Sequence, residues 1–139
     1  MSREAASGGG DAADVIGRAL GFVDDGDIPA LIELIHPEIE WRPPAQGTLE
    51  EAYHGHAGVR QLFGDLTDAW DNFEHSEVEF VEGGDAVVVV SRLKLHGQSS
   101  DMVVDEYWAY AVRLEDGRIA WVQMYTDPEQ ALREHGPGS

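Results

Sequence analysis

Apolar residues recur at two different periods along this chain, and the change of period divides it. From Ala12 the positions Val15, Ile16, Ala19, Leu20, Phe22 and Val23 follow helical spacing. Asp11 stands where an N-cap belongs, and Asp24-Asp25-Gly26 ends the helix. Asp27 caps a second helix, with Pro29 tolerated in its first turn and Leu31, Ile32, Leu34 and Ile35 as its buried stripe; His36-Pro37 stops it. Ile39 to Arg42 reads as a short strand, and Pro43-Pro44 forbids further ladder pairing. Ala45 to Gly55 is a polar, Gly-punctuated loop. A third helix is predicted from His56 to Phe73, on a stripe of Val59, Leu62, Phe63, Leu66, Ala69, Trp70 and Phe73.

Beyond Phe73 the period falls to two. Glu77 to Val81 is a strand, Gly83-Gly84-Asp85 a turn, and Ala86 to His96 a long strand. Two further strands flank Glu115-Asp116-Gly117-Arg118. Asp-Gly between runs rich in β-branched and aromatic residues is a hairpin signal, because Gly accepts positive φ without a steric cost. Asp127-Pro128-Glu129-Gln130 has the form of a capped helix start, and a short helix runs to Glu134. Helices first and an antiparallel meander after them make the chain α+β. It reads as one domain over residues 11–134, with disordered tails at 1–10 and 135–139.

Composition narrows the function more than the fold. The chain has 139 residues and no cysteine, which excludes a disulfide framework, a thiol nucleophile and cysteine zinc sites. Its net charge is −18, and Lys94 is the single lysine. Such a surface repels phosphate backbones and anionic lipid, so neither nucleic acid nor a membrane is expected as a partner. The N-terminal residues carry no apolar run, and a cytoplasmic location is the expectation.

The order helix, helix, strand, helix and then four strands resembles the nuclear transport factor 2-like superfamily, and within it the SnoaL-like group. The resemblance is carried by Gly26-Asp27, by His36-Pro37-Glu38-Ile39-Glu40-Trp41, by Tyr53-His54-Gly55-His56-Ala57-Gly58-Val59-Arg60, and by Asp116-Gly117-Arg118-Ile119 to Tyr125-Thr126-Asp127. It implies a cone-shaped, curved mixed or antiparallel sheet, as in the cystatin-like roll, wrapped around the N-terminal helices and a pocket. The three ketosteroid-isomerase positions fall on Ala19, Pro43 and Ala109, none of which can move a proton by its side chain. The last-strand Asp of the epoxide hydrolases falls on Met124, and their Arg/Asp pair on Arg92 and Lys94. Neither mechanism transfers.

The resemblance also sets a phase for the strands. With Ala109 and Met124 facing the pocket, Asp105, Tyr107 and Val122 face it too, and Trp108, Tyr110, Trp121 and Tyr125 form an apolar patch on the opposite side. That patch implies a homodimer interface, or else a surface under the C-terminal helix. Pocket-lining residues are expected to be Phe22, Trp41, Tyr53, Phe63, Leu66, Trp70, Val90, Lys94, Ala109, Val122 and Met124. For catalysis the candidates are Asp105 as base, Arg92 and Tyr107 as oxyanion partners, and His56 as a second proton carrier; an Asp105–Arg92 ion pair of purely structural purpose is the competing possibility. His54 and His56 lack a carboxylate at a metal-ligand spacing, so no metal and no cofactor is expected. The resulting expectation is a binder of a small hydrophobic, polyketide- or steroid-like molecule, acting as an acid/base isomerase, cyclase or hydratase. Its rival is a non-catalytic dimeric binding module with a vestigial pocket.

Overall fold

The structure, a computed structural model, describes residues 7–44, 52–97, 101 and 103–137, without the side chains of 7–11 and 68–72. The elements in order are α1 (Ser7–Asp25), α2 (Ile28–Glu33), β1 (Ile35–Arg42), β2 (Tyr53–His54), α3 (Gly55–Ala69), β3 (Trp70–Val81), β4 (Val87–Gly97), β5 (Val103–Glu115), β6 (Arg118–Tyr125) and α4 (Pro128–His135). The architecture is α+β. One sheet runs in the order β2-β1-β6-β5-β4-β3. The β1–β6 pair is parallel, and the other pairs are antiparallel.

Helices cover both faces, unequally. Ile16, Leu20, Leu31, Leu62 and Phe63 from α1, α2 and α3 pack with Val89, Tyr110, Val112 and Val122 into the main core. On the other face α4 lays Ala131 against Ala86, Val88, Ala109, Ala111 and Tyr125. Both capped helices start where their Asp-Pro signals stand: Asp27 accepts the Ala30 N–H, and Asp127 accepts that of Glu129.

Several boundaries differ from the periodic reading. α1 already begins at Ser7, inside the stretch read as tail, and Asp11 lies within it. α2 ends at Glu33, so Ile35 belongs to β1, and His36-Pro37 lies inside that strand. The proline is accommodated because the register jumps between Ile35 and Glu40, while the Glu38 N–H is taken by His36 Nδ1 at 3.0 Å. The segment read as loop before α3 contributes a two-residue strand, β2. α3 stops at Ala69, and Trp70 and Phe73 belong to β3, where Phe73 lies opposite Leu95. Phe73 fits both the helical and the alternating pattern, and pairing with β4 decides between them.

One irregularity decides which side chains face which way. The β5–β6 turn is the tight hairpin expected, with φ of 56° at Asp116 and 77° at Gly117. Two steps into the ladder the register shifts: Leu114 pairs with Ile119, but Arg113 pairs with Trp121. Ala120 is the extra, unpaired residue of a bulge. An unbroken ladder would place Ala109 opposite Met124. The bulge places Tyr110 there, and Val112 opposite Val122. Alternation then turns Val104, Glu106, Trp108, Tyr110 and Val112 toward the main core. The inward phase expected for Asp105, Tyr107 and Ala109 is therefore off by one residue.

α4 is seated by its C-terminal end on the β3–β4 turn. A Cβ placed at Gly84 would stand 1.8 Å from the His135 carbonyl oxygen and 2.6 Å from that of Gly136. Gly84→Ala is expected to push this end away and to destabilise the chain by about 2 kcal/mol. Urea unfolding checks it, and an unchanged midpoint would contradict the seating.

An apolar cavity and a buried polar chain as the candidate site

Between the sheet and the helices α1 and α3 lies a cavity of about 390 Å³. Its wall is mostly aliphatic and aromatic: Ile16, Ala19 and Leu20 from α1; Leu62, Phe63 and Leu66 from α3; Leu93, Leu95, Trp108, Tyr110, Val122 and Met124 from the sheet. Trp41 anchors one side. Its indole N–H donates to Met124 Sδ at 3.2 Å, and its ring meets Phe63 edge-on with centroids 5.7 Å apart. Among the described residues Glu106 is the one ionisable carboxylate of the lining, which holds no lysine, arginine or histidine. It accepts the Trp108 indole N–H at 3.0 Å.

The most ordered polar arrangement lies beside this wall. Asp24, in the last turn of α1, accepts the backbone N–H of His75 at 2.8 Å and faces its ring Nδ1 at 2.6 Å. His75 Nε2 lies 2.5 Å from the Tyr110 hydroxyl. A carboxylate can only accept, so Nδ1 carries the proton; with Nδ1 alone protonated, Nε2 accepts and Tyr110 donates to it. The His75 side chain is 3% exposed and that of Asp24 24%. Burial, followed by the Asp24 charge, holds the Tyr110 phenol well above its usual range. Every polar atom of the chain that enters the protein has a partner, which is what makes burying it tolerable. A second, more open cavity of about 430 Å³ is lined by Asp24, Asp25, Gly26, Arg60 and Thr67 among others.

The candidates named from the sequence divide as follows. Trp41, Phe63, Leu66, Val122 and Met124 line the apolar cavity. Phe22 packs against the core beside it. Tyr53 is buried next to it and donates to Asp65 at 2.9 Å. The side chain of Trp70 lies outside the described residues. His56 donates from Nε2 to the Ile35 carbonyl oxygen at 2.8 Å, tying the start of α3 to β1. The bulge at Ala120 corrects the rest. Ala109 lies under α4, and Val90 packs on that same outer face. Lys94 is the ladder partner of Asp105 there. Trp108 and Tyr110, expected on a dimer surface, line the cavity instead. Trp121 and Tyr125 do face outward, where α4 meets them: Tyr125 donates to Glu134 at 2.7 Å, and Trp121 meets His135 edge-on at 5.4 Å.

Asp105, Arg92 and Tyr107 do come together, but on the outer face. Arg92 Nε and Nη2 each lie 2.8 Å from Asp105 oxygens, and Nη1 lies 3.2 Å from Glu77. Tyr107 also donates to Glu77. The Arg92 hydrogen bonds hold Asp105 below the usual carboxylate range, and those of Tyr107 and Arg92 do the same for Glu77. Neither cavity borders this cluster. An ionised, paired carboxylate at the solvent boundary is not a poised base. Asp105 thus stands away from the cavity, paired with Arg92, and not on the inner face expected for it.

Among known sequences, residues 16–122 match the family profile described as a SnoaL-like domain. This protein belongs to the SnoaL-like family. No curated protein matches it. The SnoaL-like chain is similar in fold to TerC, solved as a co-crystal with polyporic acid (21% identity, TM-score 0.75, covering 89% of this chain and 96% of TerC). It is similar also to a nuclear transport factor 2-like protein of unknown function from Burkholderia pseudomallei (17% identity, TM-score 0.76, 88% and 95%). A third similar structure is a putative polyketide cyclase from Sinorhizobium meliloti (17%, TM-score 0.64, 80% and 93%). The nuclear transport factor 2-like fold implied by the local patterns is thus the fold found.

Neither Asp24 nor His75 was a site candidate from the sequence, and Tyr110 was expected on the outer face. Asp24 reads as a helix terminator, and His75 falls in a segment assigned to no strand. With β3 started at Trp70, the alternation Phe73, His75 places His75 inward, a signal available in the sequence. Since Asp105 lies away from the cavity, Asp105→Asn is expected to leave binding of an apolar probe unchanged, which fluorescence titration checks. Asp105 has a lowered folded pKa, so its stabilising effect is present at neutral pH and lost as pH falls through the carboxylate range. The stability difference between native and Asp105→Asn chains should therefore shrink between pH 7 and about pH 3. A difference that grows toward acid would contradict the assignment.

Proposed function

We propose that this SnoaL-like protein binds an uncharged, hydrophobic ring compound of polyketide- or steroid-like character. On it the protein performs a cofactor-independent acid/base reaction: an isomerisation, cyclisation or hydration. The observation that carries the reading is the cavity of about 390 Å³ with its mostly apolar wall. That volume lies in the range of small-molecule sites. The absence of a cationic side chain among the lining residues favours a neutral ligand, because a bare anion would lose its hydration without a countercharge. The similar structures named for polyporic acid and for a putative polyketide cyclase support a ring-compound ligand, though not its lack of charge.

The uncharged fluorescent probe N-phenyl-1-naphthylamine tests the site. Ala19 is a small residue of the cavity wall, so Ala19→Trp fills the space without removing a polar partner. Native chain is expected to bind one probe, and the variant at least about tenfold more weakly, a difference of some 1.4 kcal/mol. Equal binding by both would overturn the reading.

A homodimer through the outer sheet face belongs to the same proposal. Its support is Val103 and Tyr107, which are 52% and 47% exposed on β5. Sedimentation equilibrium in physiological salt is expected to give twice the mass of one chain; a single-chain mass would remove the dimer and leave the ligand site untouched.

A further inference from the structure

The polar chain runs from one cavity to the other. Tyr110 lines the apolar cavity, Asp24 lines the second one, and His75 lines neither. A structural pin between α1 and β3 needs only the bond from the His75 backbone N–H to Asp24, which is present at 2.8 Å. The ring contacts go further. They continue the connection through both imidazole nitrogens to a phenol on the cavity wall, at 2.6 Å and 2.5 Å. The nearby Ser91 hydroxyl is committed elsewhere, to the Ser76 and Arg92 carbonyl oxygens.

We infer that Asp24, His75 and Tyr110 form a proton relay serving a ligand in the apolar cavity, with Tyr110 as the catalytic residue and His75 and Asp24 as positioning residues. The inference rests on the reading of that cavity as a ligand site. The resting hydrogen-bond pattern sets the direction. The Tyr110 proton is given to His75 Nε2, so the phenol oxygen is left with lone pairs to accept a proton from the ligand. The ligand class that follows is an uncharged ring compound with a weakly acidic hydroxyl: a phenol, a naphthol or an enol.

In the step itself the ligand O–H bond breaks and its proton forms a new O–H bond on Tyr110. The original Tyr110 proton passes to His75 Nε2, and the bonding pair stays on the ligand oxygen. The imidazolium so formed lies against the Asp24 carboxylate, which offsets the charge inside a poorly solvated wall. Reversal of the relay, with the proton delivered to a ring carbon conjugated with that oxygen, completes a tautomerisation. No oxidant, reductant or other co-reactant enters.

The probe is 4-nitro-1-naphthol, whose anion absorbs at longer wavelength than the neutral form, with 1-nitronaphthalene as a control that cannot ionise. Native chain, Asp24→Asn, His75→Gln and Tyr110→Phe are compared below the solution pKa of the probe, with folding checked by circular dichroism. Native chain is expected to hold the naphthol with an anion-to-neutral ratio about tenfold or more above that of each variant. Native chain is expected to bind 1-nitronaphthalene as well, which reports the cavity alone. A merely structural trio would not move this ratio. An equal ratio in native chain and in either folded conservative variant, Asp24→Asn or Tyr110→Phe, overturns the relay. Binding of 1-nitronaphthalene but not of the naphthol also overturns it and leaves the ligand cavity standing. Failure of native chain to bind either compound overturns the cavity reading and the relay with it.

Discussion

A single unpaired residue, Ala120, decides which side chains this protein offers to a ligand. In a strand the side-chain period is two, so one extra residue in β6 exchanges the faces of everything beyond it relative to β5. Met124 and Val122 face the helices, and opposite them stand Tyr110 and Val112 rather than Ala109 and Ala111. The small residues then fit under α4, where Ala109 and Ala111 meet Ala131, and the large ones build a cavity. Size and position agree: indole and phenol rings at 109 and 111 could not lie beneath a helix packed so closely, and methyl groups at 108 and 110 would leave the cavity without its wall.

The same phase explains the electrostatics. Arg92, Asp105, Tyr107 and Glu77 are gathered on the outer face, where water shares the cost of the charges. On the inner face the described polar groups are few, and the buried ones are paired. Among the described residues only Glu106 brings a charged side chain to the cavity wall, in a chain whose net charge is −18. The apolar wall and the Asp24–His75–Tyr110 chain are thus two consequences of one arrangement. Tyr110 reaches His75 because both lie on the inward side of their strands, across β4 from one another.

Much of the fold was legible because its signals are local. The Asp116-Gly117 turn, the Asp27 and Asp127 caps and the stripe on α3 each follow from residues close in sequence. The order of elements sufficed for the superfamily. The site was less legible, for a physical reason. A bulge at an ordinary alanine leaves no local mark, because Ala120 is acceptable in either conformation. Counting from the turn through it misplaced Asp105, Tyr107, Ala109, Trp108 and Tyr110 together. Asp24, His75 and Tyr110 depend on contacts between residues far apart in the chain, which no local pattern encodes. His36-Pro37 and Phe73 were misassigned because local rules for prolines and helical stripes yield to ladder pairing.

The central claim is that Tyr110 faces inward and donates to a buried His75 held by Asp24. Nitrogen-15 NMR of histidine-labelled chain tests it directly. The account predicts that His75 is a neutral ring with its proton on Nδ1, in slow exchange with water, and a bare Nε2 whose resonance shifts in Tyr110→Phe while Nδ1 stays protonated. A His75 ring with its proton on Nε2, or one whose Nε2 resonance does not respond to Tyr110→Phe, would contradict both the inward phase of β5 and the polar chain built on it.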